Sequence, residues 1–301
     1  MHPRDDERRE DLLAVFAPFN LIAILALWSL LLLLGYGLML YAQRAGVRPT
    51  IETFPQALYF AGTAYFTIGF GDFVGSNGVT RLISLAAGAS GLAVVSTTTA
   101  YLFAIFGSFQ TREAFVVQIG ARAGMPPSGI GLLAIAGYAG VTEGLPAVMR
   151  DAQQWCAVVM ETHLAYPTLA YFRSSHDNQS WVGTLGTLLD AATLALTTVK
   201  CNAGEARIFH NLGRHAANDL ARYFHVRVTT HDAGITRAEF EHACDRLANA
   251  GYELHERERA WERFAQLRAE YAGSLDALAH FFSIPPLQWV GDRASLDHPH
   301  H

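Results

Sequence analysis

Apolar residues are concentrated in two long runs in the first third of the chain. Leu21 to Tyr41 and Leu82 to Thr111 contain no charged side chain. An α-helix rises about 1.5 Å per residue, so each run is long enough to cross the roughly 30 Å hydrocarbon core of a bilayer. The pattern predicts two membrane-spanning helices. The predicted segments are an N-terminal segment at 1–20, a membrane domain at 21–124 with spans at 21–42 and 81–111, and a second domain at 125–301.

The apolar stretches could also be a signal peptide or further membrane spans. A signal peptide is an alternative for the first run, but the run is longer than a signal peptide's apolar region of about 7–15 residues, and no small-residue cleavage site follows it. Gly129–Gly140 and Trp181–Val199 are candidates for further spans. The first is too short, and the second carries Asp190, whose charge would be costly in lipid. We predict both as buried helices of a soluble domain.

The remaining sequence, residues 125–301, has the periodicity of amphipathic helices. Apolar residues recur at every third or fourth position, and Pro146 marks a helix start. Ser180 is placed as an N-cap, and Thr236 with Glu239 has the spacing of a capping box. The predicted fold class is therefore an all-α membrane protein with two transmembrane helices and an all-helical C-terminal domain.

Charge is distributed as unevenly as hydrophobicity. Residues 12–111 contain five charged side chains, whereas residues 112–301 contain sixteen Arg and Lys and twenty Asp and Glu. The formal net charge is −5, and Lys200 is the one lysine of the chain. Because no basic stripe is present, we expect no nucleic-acid partner.

Charge and cysteine usage also indicate the compartment. Arginines on the membrane side that holds both termini outnumber those between the two spans. By the positive-inside rule this predicts that both termini are cytoplasmic, in a multi-pass protein of the inner (plasma) membrane. The terminal set is Arg4, Arg8, Arg9, Arg112 and Arg122, and the other set is Arg44, Arg48 and Arg81. Cys156, Cys201 and Cys244 are odd in number and widely spaced, which fits a reducing compartment. We predict that all three are buried.

The segment between the spans carries the most specific motif. It has the sequence FPQALYFAGTAYFTIGFGDFVG, and its first part, residues 54–66, predicts a short re-entrant pore helix with Pro55 near its start. The motif TIGFGD then follows at Thr67, Ile68, Gly69, Phe70, Gly71 and Asp72. It resembles the selectivity filter of tetrameric potassium channels, whose common form is TVGYG. The Ile and Phe variants resemble the filters of two-pore-domain potassium channels.

This resemblance to the potassium channel family, with the two-helix pore of its bacterial members, implies a function. It implies a filter at residues 67–72 in which backbone carbonyls and the Thr67 hydroxyl replace the water shell of K⁺, with Ile68 and Phe70 bracing the filter from behind. One subunit supplies one loop, so the implied partners are three identical subunits and the lipid bilayer. The permeant ion is K⁺, and no organic cofactor and no catalytic residue are implied.

The resemblance also bears on two residues outside the filter motif. Gly91 falls where many members of the family have a hinge glycine in the inner helix, so we expect it to permit gate movement. Thr63 stands where some members place a buried Glu that pairs with the filter Asp, which here is Asp72. The sequence therefore departs from the family pattern behind the filter.

Candidate regulatory residues lie in the C-terminal domain. His215 and Asp219 are one helical turn apart, and His163 and His176 lie near the preceding long helix, so this set is a candidate for proton or metal sensing. The alternative is structural: a surface ion pair for His215 with Asp219 and loop hydrogen bonds for His176.

Several functions stay open from the sequence. A potassium-selective channel modulated by its C-terminal domain is our main interpretation. The alternatives are a weakly selective cation channel, a pore tethered to a ligand-binding or enzymatic helical domain, and a domain that acts only as a scaffold for the tetramer. We do not expect an enzyme, because the sequence contains no nucleophile elbow, phosphate loop or HExxH motif. The regulatory ligand is not identified by the sequence.

Overall fold

The computed structural model describes residues 3–172, 174, 179–228 and 232–284, with side chains from residue 22 onward. Its contacts divide the chain into two compact units, Met1–Gly107 and Ser108–His301. The division falls inside one long helix, so the two units are taken in turn.

The first unit contains two long helices, a short helix and a small ribbon. Two of its helices are long and apolar enough to span a membrane, at Ile22–Ala42 and Gly78–Ala123. This result confirms the two predicted spans by length and composition. Its elements are α1 (Pro3–Ala42), a 3-10 turn (Arg44–Gly46), β1 (Val47–Arg48), α2 (Phe54–Tyr65), β2 (Val74–Gly75) and α3 (Gly78–Ala123).

The last helix, α3, is longer than a membrane requires. At about 1.5 Å per residue its 46 residues extend about 69 Å, more than twice the hydrocarbon core. Helical structure thus continues well beyond the predicted span at residues 81–111.

The short helix α2 has a defined beginning and a close neighbour. Thr53 and Gln56 form a capping box, in which the Gln56 side chain accepts hydrogen bonds from the backbone of Glu52 and Thr53 at 2.8 and 3.1 Å. The helix packs against α1 at Gly37, where an added Cβ would lie 3.1 Å from the Leu58 side chain. A small residue at this position lets the two helices approach closely.

The ribbon that joins the loops around α2 was not predicted. β1 and β2 pair in antiparallel fashion, with Val47 opposite Gly75. The Gly46 carbonyl beside them accepts hydrogen bonds from the Ser76 backbone at 2.8 Å and from the Thr80 hydroxyl at 2.8 Å. Strands of two residues are too short to produce an alternating pattern, so periodicity could not reveal them.

The second unit is helical, as the sequence predicts, and is built around α6. The α6 helix packs against five neighbouring helices, α4, α5, α7, α9 and α10, and most of its residues are buried. The helices are α4 (Gly129–Tyr138), α5 (Leu145–Ala165), α6 (Trp181–Thr197), α7 (Gly204–Tyr223), α8 (Arg237–Asn249), α9 (Arg257–Ala269) and α10 (Ala272–Phe281).

The one acidic residue of α6 is accommodated within the packed core of the second unit. Asp190 is buried and accepts from Arg268 Nε at 2.9 Å and from the Tyr271 hydroxyl at 2.8 Å. A buried carboxylate is tolerated when it is paired and hydrogen-bonded in this way. The prediction of a buried helix at Trp181–Val199 is confirmed over Trp181–Thr197.

Local signals in this unit agree with the sequence, with one exception. The Ser180 hydroxyl accepts from the Gly183 backbone at 2.9 Å, and Thr236 and Glu239 form the expected capping box. Cys156 and Cys244 are buried, but Cys201 is exposed, so the prediction that all three are buried is wrong for Cys201. Cys201 lies in the loop between α6 and α7 and has no helix face to bury it.

Candidate functional site

The backbone of the filter motif alternates between two conformations. Thr67, Gly69 and Gly71 have positive φ angles of 55, 62 and 80°, whereas the residues between them do not. In an ordinary strand successive carbonyls point in opposite directions, and alternating left-handed residues turn them toward the same side. The motif can therefore present a row of carbonyl oxygens on one side.

The first part of the filter is held by the carbonyl end of α2. The backbone amides of Ile68 and Gly69 both donate to the Thr63 carbonyl, at 2.8 and 3.1 Å, and that of Thr67 donates to the Ala64 carbonyl at 3.0 Å. These bonds use carbonyls that the end of a helix leaves without partners. The motif is thus a direct continuation of α2.

The glycines of the motif lie in open space within one chain. An added Cβ at Gly69 or Gly71 would have no atom within 4 Å, so the positive φ angle is what favours glycine there. The side chains of Ile68 and Phe70 are 53% and 68% exposed. The expected role of these side chains in bracing the filter is therefore not fulfilled by contacts within a single chain, and it stays a prediction.

Asp72, at the end of the motif, has a partner in α2 that the motif itself does not reveal. Its carboxylate accepts from the Phe73 backbone at 3.1 Å and interacts with the Tyr59 hydroxyl. The buried Thr63 hydroxyl donates instead to the Phe60 carbonyl at 2.9 Å. Tyr59 precedes Thr63 by one helical turn, so the helical spacing of α2 was the signal that could have pointed to it.

Gly91 lies where α3 passes the end of α2. An added Cβ would overlap the Tyr65 carbonyl oxygen, and α3 continues as one helix through this position. One turn earlier, a Cβ at Gly88 would lie 3.3 Å from the Ala64 carbonyl. Close packing is therefore a sufficient reason for glycine at position 91, and its role as a hinge stays a prediction.

His163, one of the candidate sensing residues, is fully buried in the second unit. Its Nδ1 lies 2.7 Å from the Val159 carbonyl, and its Nε2 lies 3.3 Å from Arg112 Nη1. These partners fit a neutral ring that donates from Nδ1 and accepts at Nε2. Burial, with the nearby Arg112 charge, lowers the pKa of His163 to about 3. A ring with this pKa is neutral at physiological pH, which does not favour proton sensing near neutrality, and the sensing role of His163 stays a prediction.

Among the described residues, His215 and Asp219 form a surface pair and are not part of a metal site. His215 Nε2 and Asp219 Oδ2 are 3.0 Å apart on the surface of α7, and Asp219 also pairs with Arg222. His176 lies outside the described residues. Within the described part of the chain, no group of three or more His, Cys, Asp or Glu side chains is placed to hold a metal ion.

Arg112, which the charge distribution marks only as a positive residue beside the second span, has a structural role that its sequence context does not reveal. Arg112 is 1% exposed, and its guanidinium donates to the carbonyls of Leu169 at 3.0 Å and Phe172 at 2.6 Å, and to Glu113 at 3.0 Å. With His163 these groups form what we term the Arg112 cluster, defined as Arg112, Glu113, His163, Leu169 and Phe172.

The Arg112 cluster joins the end of α3 to the core of the second unit. The indole of Trp155 donates to the Arg112 carbonyl at 3.2 Å. Further along α3, Val116, Ile119 and Ala123 belong to the hydrophobic core of the C-terminal helices. The last turns of α3 are therefore an integral part of the second unit.

The comparison with protein families gives a match that lies almost entirely in the first unit. Residues 25–108 match a family model described as an ion channel. The matched stretch includes α2 and the motif at residues 67–72. The match ends at the division between the two units.

One curated relative and no solved structure match the chain. The uncharacterized membrane protein YdjJ of Bacillus subtilis (strain 168) is 20% identical over 186 residues, which cover 60% of this chain and 54% of the relative. The match thus spans little more than half of the relative's length. No solved structure is similar enough to count as a match. The ion channel match thus lies in the part of the chain that holds the two helices long enough to span a membrane, and the model does not cover the C-terminal helices.

Proposed function

We propose that the protein is a potassium-selective channel that conducts K⁺ passively as a homotetramer. The single observation that supports this most strongly is the alternation of positive φ angles at Thr67, Gly69 and Gly71. Four such segments around one axis would offer rings of carbonyl oxygens to a dehydrated ion. K⁺ is favoured over Na⁺ because Na⁺ loses more hydration energy on entry and gains no better coordination.

The exposed side chains of the filter support the tetramer. Phe66, Ile68 and Phe70 are each more than half exposed in one chain, although they lie within the apolar membrane region. Neighbouring copies of the same loop would cover them. Three further subunits complete the pore, in the inner membrane and with both termini cytoplasmic.

The C-terminal unit acts on the gate through α3. The Arg112 cluster and the buried residues beyond it tie the last turns of α3 to the helical core. A change in the packing of that core alters the position of α3, provided that the domain has two arrangements with different affinities for an input. A pure scaffold for the tetramer is the alternative. We propose no enzymatic activity.

Purified protein in liposomes tests the proposal. With a K⁺ gradient we expect valinomycin-independent K⁺ flux and a reversal potential that follows the K⁺ gradient when Na⁺ replaces K⁺ on one side. A reversal potential indifferent to this exchange would leave only a weakly selective cation channel.

The assembly is tested by cross-linking in the membrane. Cross-linking should give species up to the tetramer, and a dimer as the largest species would contradict the assembly.

A variant that lacks residues 125–301 distinguishes a scaffold from a regulator. Loss of a scaffold removes tetramers, whereas loss of a regulator changes only the open probability.

A further inference from the structure

A cavity in the second unit lies where three connecting segments meet. It encloses about 600 Å³, within the range of small-molecule sites. Its edge is formed by the segments that follow α4, α6 and α8, and its walls by residues of α4, α5, α6 and α7. None of the residues that line it lies within residues 25–108, which match the ion channel family model.

The interior of the cavity is apolar, and its rim is charged. Leu133, Met149, Ala195, Val199 and Ala206 provide an aliphatic surface that suits an apolar ligand body. Tyr252 adds an aromatic ring, which is fixed in place because its hydroxyl donates to the Leu133 carbonyl at 2.8 Å.

Acidic side chains outnumber basic ones on the rim. Glu143, Glu205 and Glu253 line the cavity together with a single base, Lys200, whose Nζ lies 3.8 Å from Glu253. Glu205 accepts from Gln153 at 2.9 Å and from Arg150 at 3.4 Å. Within the described part of the chain, no ion pair is seen for Glu143, which is exposed. An anion would meet net repulsion here, whereas a cation could approach Glu143 and the Tyr252 ring.

We propose that this cavity binds a small organic cation with an apolar body. The aliphatic walls take the body, and the cationic group lies at the rim near Glu143 and Tyr252. A bare metal ion does not fit these features, because the described residues contain no cluster of three metal-ligating side chains and most of the wall is aliphatic.

One wall of the cavity is directly joined to the end of α3. Leu133 and Gly137 of α4 line the cavity, and at the start of the same helix Gly131 packs against the Ala123 carbonyl. That carbonyl also accepts from the Ser128 backbone at 3.3 Å. A ligand that shifts α4 therefore acts on the last residue of α3. This effect on conduction rests on the proposed function, whereas binding itself does not.

Cys201 provides a readout of binding that does not depend on conduction. It lines the cavity and is exposed, whereas the other two cysteines are buried. The experiment measures the rate at which iodoacetamide alkylates Cys201 in the full-length protein, with phenethyltrimethylammonium as the probe. Neutral 2-phenylethanol and anionic 3-phenylpropionate are matched controls. We expect saturating cation to slow alkylation about tenfold and the anion to leave it unchanged. Equal rates with all three compounds, or protection by the anion, would overturn the proposal.

Two variants and one control variant test whether the protection of Cys201 comes from a cation bound in the cavity. Glu143→Gln should weaken protection by the cation about two- to fivefold, as for an exposed charge pair, while Glu161→Gln on the exposed side of α5 should leave it unchanged. Ala206→Leu fills part of the cavity and should remove protection, with its thermal unfolding measured to verify the fold. Protection that survives Ala206→Leu in a folded protein would place the cation elsewhere.

A flux measurement then tests the consequence for the gate. A quaternary ammonium ion can also block a pore directly, so the K⁺ flux of the parent is compared with that of Ala206→Leu. A change in flux that disappears in the variant comes from the cavity, and a change that persists is pore block. Protection of Cys201 without any cavity-dependent change in flux would retain the binding site and refute its coupling to conduction.

Discussion

The filter motif and the Arg112 cluster both depend on backbone carbonyl oxygens, and they use them in opposite ways. In the cluster, the carbonyls of Leu169 and Phe172 are fully engaged by a buried guanidinium. In the filter, positive φ angles at Thr67, Gly69 and Gly71 turn carbonyls to one side, and under the proposed function they are left for ions. The filter motif is specified by backbone conformation. The Arg112 cluster is specified by side-chain contacts between segments that are distant in sequence.

This difference predicts that the filter is the more sensitive to an added methyl group. Gly69→Ala should abolish selective K⁺ flux, because an L-residue at a φ of 62° is strained by about 1–2 kcal/mol in each of four subunits. Liposome flux and reversal potential measure the effect. Gly35→Ala is the matched control, since its Cβ also meets no atom within 4 Å but its helical backbone is unstrained. Selective flux that survives Gly69→Ala would refute the filter assignment.

The Arg112 cluster should be most sensitive to loss of its charge. Arg112→Met keeps the length of the side chain but leaves the Leu169 and Phe172 carbonyls and Glu113 without their donor. We expect the second unit to lose about 3 kcal/mol of unfolding free energy. Urea unfolding followed by tryptophan fluorescence measures it. Arg122→Met, at an exposed position of the same helix, should change stability by less than about 0.5 kcal/mol. Equal effects of the two variants would contradict a special role for Arg112.

The same contrast explains what the sequence could and could not reveal. The two apolar helices follow from uncharged length, the proposed filter from a short glycine motif, and the buried position of α6 from its apolar sequence with the single charge of Asp190. Each of these signals is local. Arg112 could not be recognised, because its main partners are backbone carbonyls 57 and 60 residues away, and any residue type supplies a carbonyl. The burial of His163 depends on the same fold-level contacts. Tyr59 was within reach of helical spacing, but nothing in its residue type distinguishes it from the other aromatic residues of α2.

His163 should make the stability of the second unit depend on pH. Its pKa is about 3 in the folded protein and about 6.5 when unfolded, so the unfolded chain binds more protons between these values. Stability therefore falls as the pH is lowered through this window, by about 2 kcal/mol between pH 6.5 and pH 5. Urea unfolding at several pH values measures this slope. In His163→Gln, which does not titrate, this part of the slope should disappear. A parent and variant with the same slope would contradict the burial of a neutral ring.

Gly91→Ala tests whether the contact between α3 and the end of α2 matters for the filter. The added methyl group overlaps the Tyr65 carbonyl oxygen, two residues before Thr67, so we expect overpacking of about 1–2 kcal/mol and reduced K⁺ flux. Gly88→Ala, whose Cβ would lie 3.3 Å from the Ala64 carbonyl, should have a smaller effect. A changed permeability ratio would indicate that the contact supports the filter. A changed open probability with an unchanged ratio would support the predicted hinge.

The smallest effect is expected at the surface pair of His215 and Asp219. The two side chains are 3.0 Å apart, but His215 is largely exposed and Asp219 already pairs with Arg222, so the pair should contribute about 0.3–0.5 kcal/mol. We therefore expect His215→Ala, alone or with His176→Ala, to leave the pH dependence of flux and its response to zinc or chelator unchanged. Liposome flux across pH 5.5–8, with and without chelator, measures this response. His225→Ala, an exposed histidine just after α7, is the matched control. A shift in the pH midpoint that appears with His215→Ala and not with His225→Ala would restore the sensing role, because exposure alone cannot separate these two histidines. An unchanged midpoint would assign His215 a structural role, and the regulatory input would then act elsewhere in the domain, for which the cavity beside α4 is the proposed site.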